Sequence, residues 1–216
     1  MTHHHAGDIT QRLASEETGM QPWLFHPLLE LLAQGDPVRI DDLAVAAGRP
    51  AQEVRRALEA MPDTEYDGSG RIVGQGLTQR ATRHRFETGG EQLYTWCALD
   101  TLLFPTLLGA PARIESAYNA AATPVRVSVD PAAGVTHVEP STAVVSLVNP
   151  EDMGSVRSSF CNQVHFFASP EEAVPWLEAH PGGSVVPVRE AYELASAMAR
   201  QILDARGNGI QAGSCC

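Results

Sequence analysis

The chain has 216 residues, of which 44% are hydrophobic and 19% charged, a composition that supports a packed core of one domain or two small ones and excludes a disordered chain. Fifteen basic residues, all of them arginine, face 26 acidic ones for a net charge of −11, which repels nucleic acid and anionic membrane surfaces at long range. Apolar stretches are broken by charge, Gly or Pro well before the roughly 18–20 residues a membrane span needs, and the first residues lack a basic-then-apolar export pattern. A cytoplasmic protein with no membrane partner is expected.

Residues 1–20 read as a flexible leader, in which His3, His4 and His5 are either a weak metal-binding run or a cloning remnant. From Pro22 the spacing of Trp23, Leu24, Leu28, Leu31 and Leu32 predicts a helix ending near Gly35. Two shorter helices follow. The first opens at Asp36-Pro37, turns Ile40, Leu43 and Ala47 inward and stops at Gly48; the second runs from Pro50 to Met61 with Val54, Ala57 and Leu58 inward. Thr64-Glu65-Tyr66, the turn Asp67-Gly68-Ser69-Gly70 and Arg71-Ile72-Val73 then make a hairpin. Helix, two short helices and hairpin over residues 22–76 spell a winged helix-turn-helix. Residues 36–65 nevertheless carry four arginines against seven acids, a net of −3, and the second short helix mixes Glu53, Arg55, Arg56 and Glu59. That is a solvated face and not a phosphate-binding stripe, so a structural role without nucleic acid is expected.

Beyond Gly76 the pattern turns to strands at Thr82–Glu87, Val125–Val129, Val135–Val138 and Thr142–Val148, with one long apolar helix from Leu93 to Leu108 interrupted by Pro105. A strand at Val164–Ala168, a helix opened by Ser169-Pro170-Glu171-Glu172, a short strand at Val185-Val186 and a closing helix from Val188 to about Ala205 complete the chain. The expected architecture is α+β: a winged-helix-like unit over 21–80 packed on an antiparallel sheet core over 81–206, then a flexible tail over 207–216.

Four cysteines, at 97, 161, 215 and 216, are too sparse and uneven for a secreted disulfide framework and read as reduced thiols. On the helix of residues 93–108, Cys97 and Asp100 stand three apart and share a face, with Cys97 in the first turn where the helix dipole favours a thiolate. Asp100 is the only charge between Glu91 and Arg113. Taken alone, the segment is better read as a small buried Cys with a polar-face Asp than as a reactive pair. The second cysteine, in Ser158-Ser159-Phe160-Cys161-Asn162-Gln163-Val164-His165-Phe166-Phe167, stands beside aromatic residues at the start of a strand. Two thiols and a carboxylate fall short of the four ligands of structural zinc but suit a soft, linearly coordinated metal ion. A Cys–His nucleophile pair with His165 or His137 as base is the other arrangement these residues allow.

The strings Tyr94-Thr95-Trp96-Cys97-Ala98-Leu99-Asp100-Thr101 and Ser159-Phe160-Cys161 through Val164-His165-Phe166-Phe167, with Asp63-Thr64-Glu65-Tyr66-Asp67 and Ile72 to Thr78 before them, resemble organomercurial (alkylmercury) lyase. The likeness spans about residues 22–200 in the right order. It implies protonolysis of a carbon–mercury bond to a hydrocarbon and Hg(II), with Cys97, Cys161 and Asp100 in the places of the family's two active cysteines and its carboxylate. It further implies an Hg-binding site made of the same three residues and a winged-helix-like unit without DNA duty. An apolar pocket, which Trp96, Phe160 and Phe166 would line, raises a carboxyl pKa toward a usable general acid. Many family members have a further cysteine after the second active one; here Asn162 stands there, outside the catalytic trio. The Gly213-Ser214-Cys215-Cys216 end resembles the vicinal cysteine tail of mercuric reductase, which implies Hg transfer to a reductase or small thiol; an unconstrained terminus is the other reading. No organic cofactor is expected, since Gly68-Ser69-Gly70 lies in a hairpin turn and not between strand and helix, and an external thiol is expected to release product. The competing classes are a winged-helix soft-metal sensor and a thiol-based mercury carrier without turnover.

Overall fold

A computed structural model describes residues 21–61, 63–119, 122–149 and 155–211, with side chains to residue 205. Three helices come first: α1 (Pro22–Leu32), α2 (Ile40–Ala47) and α3 (Ala51–Glu59). Gly48 ends α2 in the left-handed conformation, at φ +62°, as its place after the apolar run predicts. The wing follows as β1 (Glu65–Tyr66) and β2 (Ile72–Gln75), then β3 (Leu77–Thr78). In α3, Arg55 lies 3.9 Å from Asp41 of α2, and Arg49, just before it, pairs with Glu53 at 3.2 Å, so two of the arginines that a nucleic acid would use are already matched with acids.

The expected helix from Leu93 to Leu108 is in fact a strand followed by a helix. After β4 (His84–Thr88) the chain forms β5 (Glu91–Thr95), and only then α4 (Ala98–Leu108), which continues through Pro105. Leu93 and Thr95 point inward on the period of two, a pattern too short to stand out against the apolar run that continues it. Strand β6 (Ala112–Ser116) had no counterpart in the sequence reading, because Ile114 is its only large apolar residue, although its inward and outward positions alternate regularly. Strands β7 (Val125–Asp130), β8 (Gly134–Glu139) and β9 (Val144–Leu147) fall within a few residues of expectation.

Cys161 does not begin a strand. A one-turn helix α5 (Val156–Ser159) leads into a 3-10 turn at Cys161–Gln163, and the following strand β10 is only Phe166–Phe167. The helix expected at Ser169 is displaced to α6 (Val174–Ala179), and β11 (Ser184–Pro187) leads into α7, which runs from Val188 to Gln211 and so past both Ala205 and the expected start of the tail.

Eight antiparallel strands form one sheet in the order β1-β2-β3-β5-β4-β6-β7-β8, and a second antiparallel sheet has the order β10-β9-β11. The wing strands are thus the edge of the main sheet. One face of that sheet turns Phe86, Ile114, Val125, Val127 and Val129 into the core, each at most 3% exposed. Its other face carries ion pairs such as Arg126–Glu115 at 2.8 Å and Arg113–Glu87 at 3.2 Å. Beyond Asp100 in its first turn, helix α4 is apolar on every side, so it fits inside, between the sheet and α7. Its C-terminal end is closed by Gly109 at φ +61° and by His26 of α1, whose ring donates to the Leu107 carbonyl at 2.9 Å. Pro111 has no N–H to offer that carbonyl, which is why a side chain serves it. One apolar cluster runs from Leu24 to Ile202 and includes Trp96, Cys97, Phe160, Cys161 and Phe166.

Candidate active site

The turn from β5 into α4 is held by four backbone-directed bonds. Trp96 N–H donates to the Gly76 carbonyl at 2.9 Å, Thr95 Oγ1 to the Cys97 carbonyl at 2.8 Å, Ala98 N–H to the Val164 carbonyl at 3.1 Å and Thr101 Oγ1 to the Ala98 carbonyl at 2.7 Å. Gly76 sits at φ +75° with its α-carbon facing Phe104, whose Cζ would lie 2.8 Å from any Cβ there. These contacts place Cys97 at the N-cap of α4, one step ahead of the first turn.

Cys97 and Asp100 form a reciprocal cap. The Asp100 N–H donates to Cys97 Sγ at 3.4 Å, and the Cys97 N–H donates to Asp100 Oδ2 at 3.2 Å. Capping positions favour Ser, Thr, Asp and Asn, whose oxygens accept better than sulfur, so the cap alone does not call for a cysteine. Cys161 comes to the same place from the other side. Its 3-10 turn is anchored by Ser146 on β9, whose hydroxyl donates to the Gln163 carbonyl at 2.9 Å and accepts from His165 N–H at 2.8 Å. The result brings one sulfur of Cys97, one sulfur of Cys161 and a carboxylate oxygen of Asp100 within 4.8 Å of one another. A soft ion with metal–sulfur bonds of roughly 2.3 Å or a little longer can touch both sulfurs at that spacing.

Burial governs the acidity of Cys97 and Asp100, whereas at Cys161 it competes with a hydrogen bond from Cys97. Cys97 is 0% exposed and Cys161 3%, while Asp100 keeps partial exposure. Burial pushes the Cys97 thiol well above its usual range, and the neighbouring Cys161 thiol and Asp100 carboxylate add to this. The expected depression by the helix dipole is therefore overturned, since desolvation in an apolar surround outweighs it. For Cys161, the hydrogen bond from Cys97 favours the thiolate, but burial and the charges of Asp100 and Asp63 leave its pKa raised, with Arg157 pulling the other way. Burial lifts the Asp100 carboxyl to about 6, against the pull of hydrogen bonds from the Cys97 thiol and from the Cys97 and Trp96 N–H groups. The carboxyl is thus the member of the trio closest to exchanging protons near neutrality.

Neither histidine offered as a base belongs to this group. His165 is 7% exposed in an aromatic cluster, with its ring 5.2 Å from Tyr118 and 6.2 Å from His84, and burial lowers its pKa to about 4. His137 lies exposed on β8, 3.9 Å from Glu139. Trp96, Phe160 and Phe166 are at most 7% exposed and share the core cluster with both cysteines. His3, His4, His5, Cys215 and Cys216 lie outside the described residues.

Three residues to which the sequence assigns no part in the site, Asp63 and Glu65 of the string that leads into the wing and Arg157, complete the surroundings. Asp63 accepts from Ser155 Oγ at 2.8 Å and from Arg157 N–H at 3.1 Å, Glu65 pairs with the Arg157 guanidinium, and that guanidinium lies 4.7 Å from the centre of the Trp96 ring. Asp63 and Glu65 find these partners more than 90 residues away in sequence, beyond any local pattern. The available signal was an acid inside a β run, Thr64-Glu65-Tyr66.

Comparison with known proteins bears on the whole chain. Residues 77–200 match the family model described as alkylmercury lyase, and residues 6–76 match the helix-turn-helix domain of alkylmercury lyase. An alkylmercury lyase of Streptomyces lividans is 54% identical over 91% of this chain and 89% of its own length. That of Staphylococcus epidermidis is 47% identical over 98% and 96%, and that of Bacillus cereus 49% over 90% and 87%. The crystal structure of the mercury-bound form of MerB2 has the same fold, at a TM-score of 0.73 and 24% identity over 92% of this chain and 98% of that one. Two family models that together match residues 6–200, with identity near one half over at least nine-tenths of the chain, lead to one assignment: the chain belongs to the alkylmercury lyase family.

Proposed function

We propose that this chain cleaves the carbon–mercury bond of organomercurials by protonolysis, with Cys97 and Cys161 as mercury ligands and Asp100 as the proton carrier. The observation that carries the reading is the convergence of two buried sulfurs and one carboxyl of raised pKa within 4.8 Å. An incoming R–Hg–X exchanges X⁻ for the sulfur of one cysteine, whose thiol proton leaves with X⁻ to solvent. The second thiol then gives its proton to Asp100 and its sulfur to mercury, making a three-coordinate R–Hg(S-Cys)₂ anion. Two electron-rich sulfurs weaken the bond to carbon. The departing carbon takes the bonding electron pair together with the Asp100 proton, giving R–H and Hg(S-Cys)₂ and returning Asp100 to its carboxylate form. The low-dielectric surround that lifts the Asp100 pKa is what makes this acid available near neutrality.

Product release needs two external thiols, each giving a proton to a cysteine as its sulfur replaces it on mercury. Small thiols and a mercuric reductase are the acceptors that fit this exchange, and Cys215 and Cys216 are the chain's own candidates for passing Hg(II) on. A cytoplasmic setting agrees with reduced Cys97 and Cys161, and among the described residues no helix is long and apolar enough to cross a membrane. No organic cofactor enters the reaction, because every electron pair and proton in it comes from substrate, cysteine or Asp100.

The test is benzene release from phenylmercuric acetate under excess thiol. Wild-type protein is expected to turn over, and Cys97→Ser, Cys161→Ser and Asp100→Ala to lose turnover. Stoichiometric mercury binding by the wild type without benzene overturns the reading in favour of a carrier.

A further inference from the structure

The wing hairpin reaches the active site through two acids. Glu65 has a side chain only 4% exposed, yet it carries a carboxylate, and that carboxylate is occupied on both sides, by the Arg157 guanidinium and by the Thr78 hydroxyl. Room for it is built into the next strand. Gly74 lies opposite Glu65 in the β1–β2 ladder, and a Cβ there would collide with the Glu65 carboxylate and come within 2.6 Å of Thr78 Oγ1. Two residues earlier, Asp63 receives the Ser155 hydroxyl and the Arg157 N–H, and so holds the first turn of α5. Arg157 is four residues before Cys161, and its guanidinium rests over Trp96, the residue before Cys97.

We propose that Asp63 and Glu65, acting through Arg157, are a latch that fastens the Cys161 segment against Trp96 and Cys97, which makes Glu65 and Arg157 positioning residues for the two-thiol site. The inference rests on Cys97 and Cys161 being the mercury-binding pair. With the latch closed both sulfurs are buried, so an organomercurial enters when the Cys161 segment gives way and is clasped when it returns. A carboxylate enclosed in this manner holds its cation far more firmly than an exposed ion pair does, and its neutral amide isostere does not.

The experiment measures alkylation of each cysteine by iodoacetamide in the full reduced chain, resolved by peptide mass spectrometry. Glu65→Gln keeps the shape and the Thr78 bond but removes the charge; Gly74→Ala keeps the charge but displaces the carboxylate. Both are expected to label Cys161 roughly tenfold faster than wild type, through more frequent local opening. Asp67→Asn is the control, because Asp67 braces the same hairpin through Ser69 and Arg71 N–H groups, each at 2.9 Å, without touching Arg157. It is expected to leave the Cys161 rate within about twofold of wild type. Wild-type labelling in Glu65→Gln and Gly74→Ala overturns the latch, as does equal acceleration in Asp67→Asn. Should Glu65→Gln not fold, Arg157→Met removes the other half of the pair and is read against the same two criteria. Alkylation needs no turnover: absent benzene release in wild type sinks the lyase reading alone, whereas unchanged labelling sinks the latch alone.

Discussion

Asp100→Asn should make the protein more stable while abolishing its chemistry, and the size of the gain follows from burial. The Asp100 carboxyl has its pKa raised from 3.8 to about 6 on folding. Two units at about 1.4 kcal/mol each mean that the ionised group costs the folded state about 3 kcal/mol. The sign follows from proton counting. Between the two pKa values the folded chain binds more protons at this group than the unfolded chain, so wild-type stability falls as pH rises through that window. Asparagine has no such slope, and its carbonyl oxygen can still accept the Cys97 N–H that Oδ2 accepts now. The variant should therefore match wild type near pH 4, gain on it through pH 6, and stay ahead above that by up to about 3 kcal/mol. In a domain of this size that is a rise in melting temperature of roughly 6–12 °C at pH 8. Urea titrations at half-unit steps from pH 4 to 8, under reducing agent, read the difference directly. Benzene release by the same preparation should fall by at least about a hundredfold if Asp100 carries the proton as proposed. A variant less stable than wild type at pH 8, or one whose gain does not grow with pH, refutes the reasoning.

Ser146→Ala removes both bonds that anchor the Cys161 turn and leaves a buried N–H and carbonyl without that partner; a loss of about 2–4 kcal/mol is expected in urea unfolding, and a loss under about 1 kcal/mol contradicts the anchor. His165 has its pKa lowered from 6.5 to about 4, so the stability it supports is present above pH 6.5 and is lost as pH falls toward 4. His165→Phe keeps a ring in the aromatic cluster and should flatten the acid-side slope by up to about one proton; an unchanged slope between those pH values counts against the assignment.

The parts of the fold that were legible in the sequence are those encoded locally. The helix of Trp23 to Leu32 shows its period, Gly48 ends a helix because only glycine sits easily at positive φ, and Asp67-Gly68-Ser69-Gly70 announces the wing. The region around Cys97 was misread for a physical reason. Glu91–Thr95 pairs with β3 and β4, and such pairing is invisible in a string whose apolar residues run on into α4. The unusual strings around Cys97 and Cys161 contain the two thiols and the carboxyl that the fold brings together, whereas the thiol acidity is not legible there, because desolvation depends on what the rest of the chain packs around the sulfur. Asp63 and Glu65 stand in a string that carries the family likeness, but their tie to Arg157 is not legible there because it spans more than 90 residues.

The reciprocal cap of Cys97 and Asp100 has a bearing on how any mutagenesis of this site must be interpreted. The atoms that would meet mercury are also the atoms that terminate a buried helix, so a substitution at either position changes architecture and reactivity together. Serine at 97 separates the two, since its hydroxyl caps at least as well as sulfur yet binds soft metals poorly; alanine at 97 removes both functions and should cost a further ~1 kcal/mol of stability. The Ser–Ala difference at one position thus isolates the helix end from the chemistry, a distinction that inactivation by itself never provides.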